Sequence, residues 1–599
     1  MKRLSSVKKI VHNTFYLFQL CFESNYKFLL LFVLDAVRNV VNYFFEYVFG
    51  LKFILECVEY QKPVYYVFTY LIFLFLFVST GMIYSSWFNE KYKMIEIPII
   101  KAKIKELLFR KARDVDADCY DDTNYYNDFV FSISQSDEKC EQLLELIAKV
   151  VSCVATILLM GGYFVFYDAL SLLFIMLIFL LSLFINKCIR KIDFEVKLKK
   201  NYHERKRDYI KRTFYLNDYA KEMRTNGKLS QILLDDFYEA NDKLLLIEKK
   251  IGLKRLTLSF LFRFFCGFFV RNVLYVIYLL YRALLLNSIS VSNVVVLFKS
   301  SKQLNHSVDK FAQIYPDTYE ISMYVDKMLG FLNIESKIED EGNLKPESTA
   351  KTLEIKHVYY SYPEEEEYAL KDVCMKIDLP SKIAIVGMNG AGKTTLIRLI
   401  MRLSDVTKGE ILLDGINIKE YDLKEYRRYI GVVFQDFNIY AAKLSENVVL
   451  DLFEQGKKNA ILSALIKCGF ENKYKDMIKG LETEITTEFY DDGVTLSGGE
   501  EQKVAISRII YWDNSMAILD EPSSALDPIA ELSLNKTMIS IGKKKAVIFI
   551  SHRLSTTRIA DQIFVLKEGS LVEVGNHTEL LKKNGLYSSM WNAQAMPYL

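Results

Sequence analysis

Three groups of residues in the C-terminal half of this chain are of the types that handle phosphate esters. The first is Gly387-Met-Asn-Gly-Ala-Gly-Lys-Thr394, followed by Thr395. Glycines at this spacing let backbone amides curl around phosphate oxygens, with Asn389 and Gly390 in the bend. Lys393 then reaches the β- and γ-oxygens, and the Thr394 hydroxyl is a ligand for Mg²⁺. The second group is the carboxylate pair Asp520-Glu521. Asp520 can hold Mg²⁺ through its water shell, and Glu521 is placed to orient or deprotonate an attacking water. The third comprises two single residues. The Gln435 amide can contact Mg²⁺ and the water, and His552 can contact a γ-phosphate. Such a set binds a nucleoside triphosphate.

Each of these residues needs an element to hold it, and the flanking sequence supplies one. Ile383–Val386 is a short apolar strand-like run, and Leu396–Met401 has helical patterning, so Gly387–Thr395 sits in a strand–loop–helix unit. Met516–Leu519 is an apolar run ending in Asp520, Gly431–Phe434 ends in Gln435, and Ala546–Ser551 ends in His552. A fourth motif, Leu496-Ser-Gly-Gly-Glu500, precedes the helical segment Gln502–Tyr511. Ser497 and the glycines Gly498 and Gly499 there make an anion-binding helix N-terminus, with Glu500 the next residue of the loop. Tyr362, shortly before the P-loop strand, can stack on a purine, with Tyr359 and Tyr360 as packing residues.

The N-terminal half is of a different composition. The chain has 599 residues, 51% of them hydrophobic, and its mean hydropathy of +0.09 averages two unlike halves. With about 20 apolar residues needed per crossing, six candidate spans fall near Tyr26–Cys57, Val64–Phe88, Leu143–Tyr167, Ala169–Asn186, Leu253–Leu286 and from Val291 onward. Lys and Arg crowd the N-terminus and the segments 91–113 and 187–255, which places these on the cytoplasmic side. The long loops 89–139 and 187–252 carry little Gly or Pro and keep helical spacing. They are expected to continue the helices out of the bilayer, turning near Tyr120–Asp128 and Phe214–Met223. Asp35 and Arg38, three apart on one helix face, are expected to neutralise each other. Glu46, Arg263, Arg271 and Arg282 are further candidates for a path through the membrane. The net charge of +3 does not call for a nucleic-acid partner. Nine cysteines without a CxxC pair or zinc spacing read as small apolar residues. No cleaved signal peptide is expected at Met1-Lys-Arg-Leu4.

The order and spacing of Gly387–Thr394, Gln435, Leu496-Ser-Gly-Gly499, Asp520-Glu521, Ser524-Ala-Leu-Asp527 and His552 resemble those of an ATP-binding cassette. With six preceding spans, nearly the whole chain resembles an exporter-type ABC half-transporter. That fold is an α-helical six-span transmembrane domain fused to a C-terminal α/β P-loop ATP-binding cassette. The domains would be 1–332, a linker at 333–350, and the cassette at 351–599. The resemblance implies ATP and Mg²⁺, with Tyr362 on adenine, Lys393 and Thr394 on phosphates, Gln435 and His552 near the γ-phosphate, Asp520 supporting Mg²⁺, and Glu521 as base. It also implies a homodimer or heterodimer in which Ser497 and Gly499 close over the partner's ATP and Asp527 crosses the interface. The two cytoplasmic turns would be coupling helices, the second docking on the partner subunit. Glu500, where Gln is usual, and Asp491, where a Glu is usual, depart from the pattern, and activity is expected to survive both. The implied function is ATP-driven export of a small peptide, drug-like compound or lipid from a bacterial inner membrane. The alternatives are a lipid flippase, a siderophore importer on the exporter fold, and a non-transporting ATP-gated regulator.

Overall fold

A computed structural model describes residues 2–336, 338, 340–362, 365, 367–452, 454–522, 528–542, 545–551 and 553–595. His552 and the Ser524–Asp527 segment lie outside these residues. The chain forms two compact units, Met1–Ala112 with Asp128–Asn333, and Arg113–Asn127 with Ile334–Leu599.

The first unit is helical throughout. Its long helices are Tyr26–Glu59, Tyr65–Asp114, 123–168, Ser171–Tyr215, 227–285 and Val291–Leu332. Among the described residues, four stretches are long and apolar enough to cross a membrane: Tyr26–Glu59, Tyr65–Asp114, Asp128–Asp168 and Phe268–Leu285. Ser171–Ile185 is apolar but shorter. The helices start where side chains cap orphan amides. Asn25 Oδ1 accepts from the Phe28 amide at 3.0 Å, and Ser290 Oγ from the Asn293 amide at 3.3 Å.

The expected cytoplasmic loops are helical, as their apolar spacing requires. Ile100, Ile104 and Leu108 are buried at helical intervals. Ion pairs brace the two arms of each extension, Lys105–Asp137 at 2.7 Å and Lys206–Asp236 at 2.7 Å, and Lys149–Asp317 at 2.7 Å ties the helix 123–168 to Val291–Leu332. Asp35 and Arg38 pair at 2.8 Å, and the Arg38 guanidinium also reaches the Gly81 carbonyl and lies 5.3 Å from the Tyr84 ring. Arg271 donates to the neighbouring Asn272 at 3.0 Å, and Arg282 lies 3.7 Å from the buried Asp168.

One element was not expected, a helix at Lys2–Ser24 preceding the first span. It is too polar to register as a span, yet Ile10, Asn13, Leu17 and Cys21 are all buried. Their three- and four-residue spacing is that of one helix face. Asn13 Nδ2 donates to the Ser322 carbonyl at 3.1 Å, tying this helix to Val291–Leu332.

The second unit holds two sheets. An antiparallel sheet has the order β2-β1-β4-β5, from Leu370–Asp378 (β2), Thr352–Tyr360 (β1), Lys408–Leu413 (β4) and Ile416–Asn417 (β5). The larger sheet has the order β10-β9-β3-β8-β7-β6. Its strands are Ser570–Gly575 (β10), Gln562–Lys567 (β9), Lys382–Gly387 (β3), Ala546–Ile550 (β8), Met516–Asp520 (β7) and Ile430–Val433 (β6). From β9 to β6 the pairing is parallel, and β10 runs antiparallel to β9. Parallel strands covered on both faces read as unbroken apolar runs, and β7 and β8 are buried at every residue. A smaller helical cluster centred on Leu444, Val448, Leu465, Phe470 and Val504 carries the Ser497 turn.

The antiparallel sheet contains a close backbone approach that only glycine permits. Gly409 has φ +86°, and a Cβ there would stand 2.2 Å from the His357 carbonyl oxygen. Neither rotamer change nor side-chain movement relieves a clash with backbone. Gly409→Ala is expected to destabilise the cassette by roughly 2–3 kcal/mol, read as a lowered apparent Tm of the purified chain. An unshifted Tm would contradict this packing.

Candidate nucleotide site

Parallel pairing brings the sequence motifs to one edge. β3, β8, β7 and β6 are neighbours running in the same direction, with Ile385 opposite Ile550, Ile550 opposite Asp520, and Leu519 opposite Val433. The residues that follow each strand therefore emerge side by side at the carboxyl edge of the sheet, where open α/β sheets bind ligands. The P-loop follows β3, Asp520 ends β7, and Gln435 lies just past β6. Motifs more than a hundred residues apart in sequence thus occupy one ridge.

The loop after β3 turns through Gly390 at φ +77° and Gly392 at φ +93°, then enters the helix Lys393–Ile400. A Cβ at Gly392 would stand 2.6 Å from Leu370 Cδ2. Lys393 is buried, and its ammonium donates to the carbonyls of Gly387 and Met388, both at 3.0 Å. The lysine therefore folds back along the loop, holding its charge over the phosphate cradle. Burial pushes the Lys393 pKa down, opposed by the nearby carboxylates of Glu521 and Asp520.

Across the edge, Thr394 Oγ1 donates to Asp520 Oδ2 at 3.1 Å. Burial pushes the Asp520 carboxyl above its ordinary range, partly offset by the Thr394 hydroxyl. Its second oxygen, Oδ1, is buried with no hydrogen-bond partner. An orphaned carboxylate oxygen beside a hydroxyl, in a site rich in oxygen donors, fits the hard-ligand requirement of Mg²⁺. Thr394, Asp520 and Gln435 are the residues that would hold it.

Glu521 leaves the end of β7 in an unusual conformation, with φ +49°. A non-glycine residue in the left-handed region costs of order 1–3 kcal/mol and persists when the surroundings impose it. Here the Glu521 amide donates to the Ile550 carbonyl at 3.1 Å, and Gln435 Nε2 donates to Glu521 Oε2 at 3.1 Å. The strained backbone turns the carboxylate away from Asp520 and toward the Gln435 amide. Two carboxylates adjacent in sequence thereby take different surroundings, one buried against Thr394 and one held by an amide.

Tyr362 lies on the flank of the P-loop helix. Its hydroxyl is 2.8 Å from Thr395 Oγ1, the Arg398 guanidinium lies 5.6 Å from its ring centroid, and Tyr360 meets it edge-on at 5.2 Å. Three contacts fix the ring beside the phosphate loop. The same helix receives a further group that sequence reading did not single out. Asp118, in the 3-10 turn Ala117–Asp121, pairs with Arg398 at 2.9 Å and accepts from Tyr360 at 3.3 Å and from Ser404. The expected turn near Tyr120–Asp128 thus lies a few residues earlier, and its anchoring side chain is an aspartate.

The Ser497 turn is arranged separately, on the helical cluster. Ser497 is the N-cap of the helix Gly498–Trp512, and its amide donates to Glu500 Oε2 at 2.8 Å. Burial works against the Glu500 charge, but the Ser497 hydrogen bonds and the Lys473 ammonium, 3.6 Å away, hold its carboxyl below the ordinary range. The glutamate that stands where glutamine is usual closes the capping box, an internal role. Ser497 and Gly498 remain exposed.

A family model described as "ABC transporter" matches residues 370–524. The subtilin transport ATP-binding protein SpaT of Bacillus subtilis is 29% identical over 511 residues, 84% of this chain and 81% of that protein. A putative multidrug export ATP-binding/permease protein of Staphylococcus aureus is 36% identical over 264 residues, 43% of this chain and 45% of its own length. The ATP-dependent lipid A-core flippase of Pasteurella multocida is 34% identical over 267 residues, 45% of each chain. The chain thus spans about half the length of the latter two relatives, and more of the first. A solved structure of a bacterial Atm1-family ABC exporter with ATP bound superposes with a TM-score of 0.75 at 19% identity, covering 96% of this chain and 98% of that one.

Proposed function

We propose that this chain, whose residues 370–524 match the ABC transporter family model, is an exporter-type half-transporter that exports a solute across the cytoplasmic membrane, driven by ATP hydrolysis and alternating access. The observation that carries this is the carboxyl-edge ridge of Lys393, Thr394, Asp520, Gln435 and Glu521. It lies in the same compact unit as the turn that joins two long apolar helices. In this reading 1–332 is a membrane domain of six spans, 333–350 a linker and 351–599 the cassette.

Tyr362 stacks on the adenine, and Asn389, Gly390, Gly392 and Thr395 complete the phosphate cradle around Lys393. Mg²⁺ held by Thr394, Asp520 and Gln435 would supply charge neutralisation to the phosphates. Glu521 takes a proton from the attacking water as general base, while the Gln435 amide fixes the carboxylate and the water. Asp520 accepts from the Thr394 hydroxyl, and His552 contacts the γ-phosphate. The site is completed in a homodimer or heterodimer, in which Ser497, Gly498, Gly499 and Glu500 of one subunit close over ATP held by the other, with Asp527 at the seam. The exposure of Ser497 and Gly498, on a turn already capped by its own glutamate, supports that use.

Asp118 ties the first cytoplasmic turn to the P-loop helix of its own chain, and the helix Asn217–Thr225 is the second turn, for the partner subunit. Cassette closure then draws the long cytoplasmic helices together and opens the membrane half outward. A bacterial inner membrane suits the chain, with the cassette in the cytoplasm.

The test is ATP-dependent accumulation inside inside-out vesicles. Subtilin-type cargo comes first, since the relative matched over most of this chain is named for subtilin transport. Drug-like compounds and lipids follow. Accumulation with ATP, abolished in Glu521→Gln, is the expected result. Efflux from the vesicles would make it an importer. Leaflet redistribution of lipid would make it a flippase. ATP turnover without movement of any cargo would leave an ATP-gated regulator.

A further inference from the structure

A second cluster of ligand-type side chains stands on the antiparallel sheet, apart from the phosphate-binding ridge. His357 on β1 and Asp372 and Cys374 on β2 each offer one donor atom, and the three atoms lie within 4.8 Å of one another. His357 Nδ1 is 2.8 Å from Asp372 Oδ1 and 3.5 Å from Cys374 Sγ. Tetrahedral zinc holds nitrogen, oxygen and sulfur at about 2.0–2.3 Å, which sets donors about 3.3–3.8 Å apart. The cluster is within an ångström of that spacing.

The backbone is shaped to bring these side chains together. β1 and β2 pair Ile355 with Met375, then Val358 with Val373, then Tyr360 with Leu370, with a register shift at each step. Lys356 and His357 therefore oppose the single Cys374, and Lys371 and Asp372 oppose the single Tyr359. These are bulges on adjacent strands, each one re-aiming a side chain. His357 and Asp372 both take φ +49°, and the His357 amide donates to Cys374 Sγ at 3.3 Å. On the other side, β4 gives way to the bulge through Gly409. A solvent-exposed imidazole–carboxylate pair is screened by water and stabilises little. It does not account for two non-glycine residues held in the left-handed region.

We propose that His357, Asp372 and Cys374 form a surface site for a borderline divalent cation of the Zn²⁺ class. Its ligands are the imidazole Nδ1, one carboxylate oxygen and the thiolate, and the fourth position is open to solvent. The donor set excludes Mg²⁺ and Ca²⁺, which take oxygen ligands, so this ion is chemically distinct from one at Thr394 and Asp520. Bound metal would cross-link β1 to β2 on the strand that runs into Tyr360 and Tyr362.

The test uses the full-length, tag-free chain in detergent with Co²⁺ as a spectroscopic probe. One equivalent of Co²⁺ is expected to give a thiolate-to-cobalt charge-transfer band. That band is lost in Cys374→Ser, and affinity falls by more than about 100-fold in His357→Asn, beyond what loss of an outer-shell partner costs. Asparagine is used because it tolerates positive φ, and both variants should keep wild-type ATP turnover. On the wild-type chain itself, Zn²⁺ is expected to protect Cys374 from alkylation, read by peptide mass spectrometry. Absence of the band, its persistence in Cys374→Ser at equal affinity, or unprotected alkylation of Cys374 in Zn²⁺ would overturn the site.

Discussion

Glu521→Gln is expected to lower ATP turnover by about 10²–10⁴-fold, the range contributed by a positioned general base, while ATP still binds. The substitution is close to isosteric, so the strained φ of +49° and the amide contact to Ile550 are retained. What is lost is the negative charge that accepts from Gln435 Nε2 and would take the water proton. Lys393, Thr394 and Asp520 are untouched, so the phosphate-binding half of the ridge stays intact. The measurement is ATPase activity in liposomes beside equilibrium nucleotide binding, for wild type and variant. Unchanged turnover would remove Glu521 from the chemistry, and loss of binding together with turnover would make its role structural.

Asp118→Ala is expected to separate ATP hydrolysis from transport. Asp118 pairs with Arg398 at 2.9 Å with both side chains largely buried, and it also accepts from Tyr360 and Ser404. Removing it takes one shared acceptor from a guanidinium and two hydroxyls, at a cost of roughly 2 kcal/mol to turn–cassette docking. That corresponds to a docking equilibrium about 30-fold weaker. Cargo accumulation per ATP hydrolysed should fall by a comparable factor, while turnover stays near wild type because Asp118 itself contacts neither Tyr362 nor the phosphate ridge. Changing Asp118 is more selective than changing Arg398, since Arg398 also lies against the Tyr362 ring. The exchange Asp118→Arg with Arg398→Asp should restore part of the lost transport. Equal losses of hydrolysis and transport would refute the separation, as would an unaltered ratio.

Much of the site was legible because its residues end recognisable strands. β7 is an apolar run that ends in Asp520, β6 is one that reaches Gln435 two residues past its end, and β3 runs into the P-loop glycines that mark the turn into a helix. The membrane half was readable in its long helices, since long charge-interrupted apolar runs with little Gly or Pro have few other solutions. The helix Lys2–Ser24 was overlooked because a span-length hydropathy window misses an amphipathic helix. Its buried Ile10, Asn13, Leu17 and Cys21 carried the signal at helical spacing. Asp118 was illegible for another reason. A short acidic turn reads as solvated until its partners, some 240 to 290 residues away, are known.

The sequence by itself determined which chemistry this protein holds: a phosphate cradle with its lysine, a carboxylate pair at the end of a buried strand, and a capped, glycine-rich helix start. Residue type and local spacing suffice there, because each motif is formed within one turn of chain. Only the tertiary structure decided what stands beside what. Parallel pairing put Gln435 on Glu521, helix packing put Tyr362 on Thr395, and a folded-back turn put Asp118 on Arg398. The same holds for Cys374. With no partner at zinc-motif spacing it read as a small apolar residue, yet it is exposed and faces His357 and Asp372. The two bulges that aim those side chains arise from pairing between strands, and strand register is a property of the sheet, absent from any one segment of the chain.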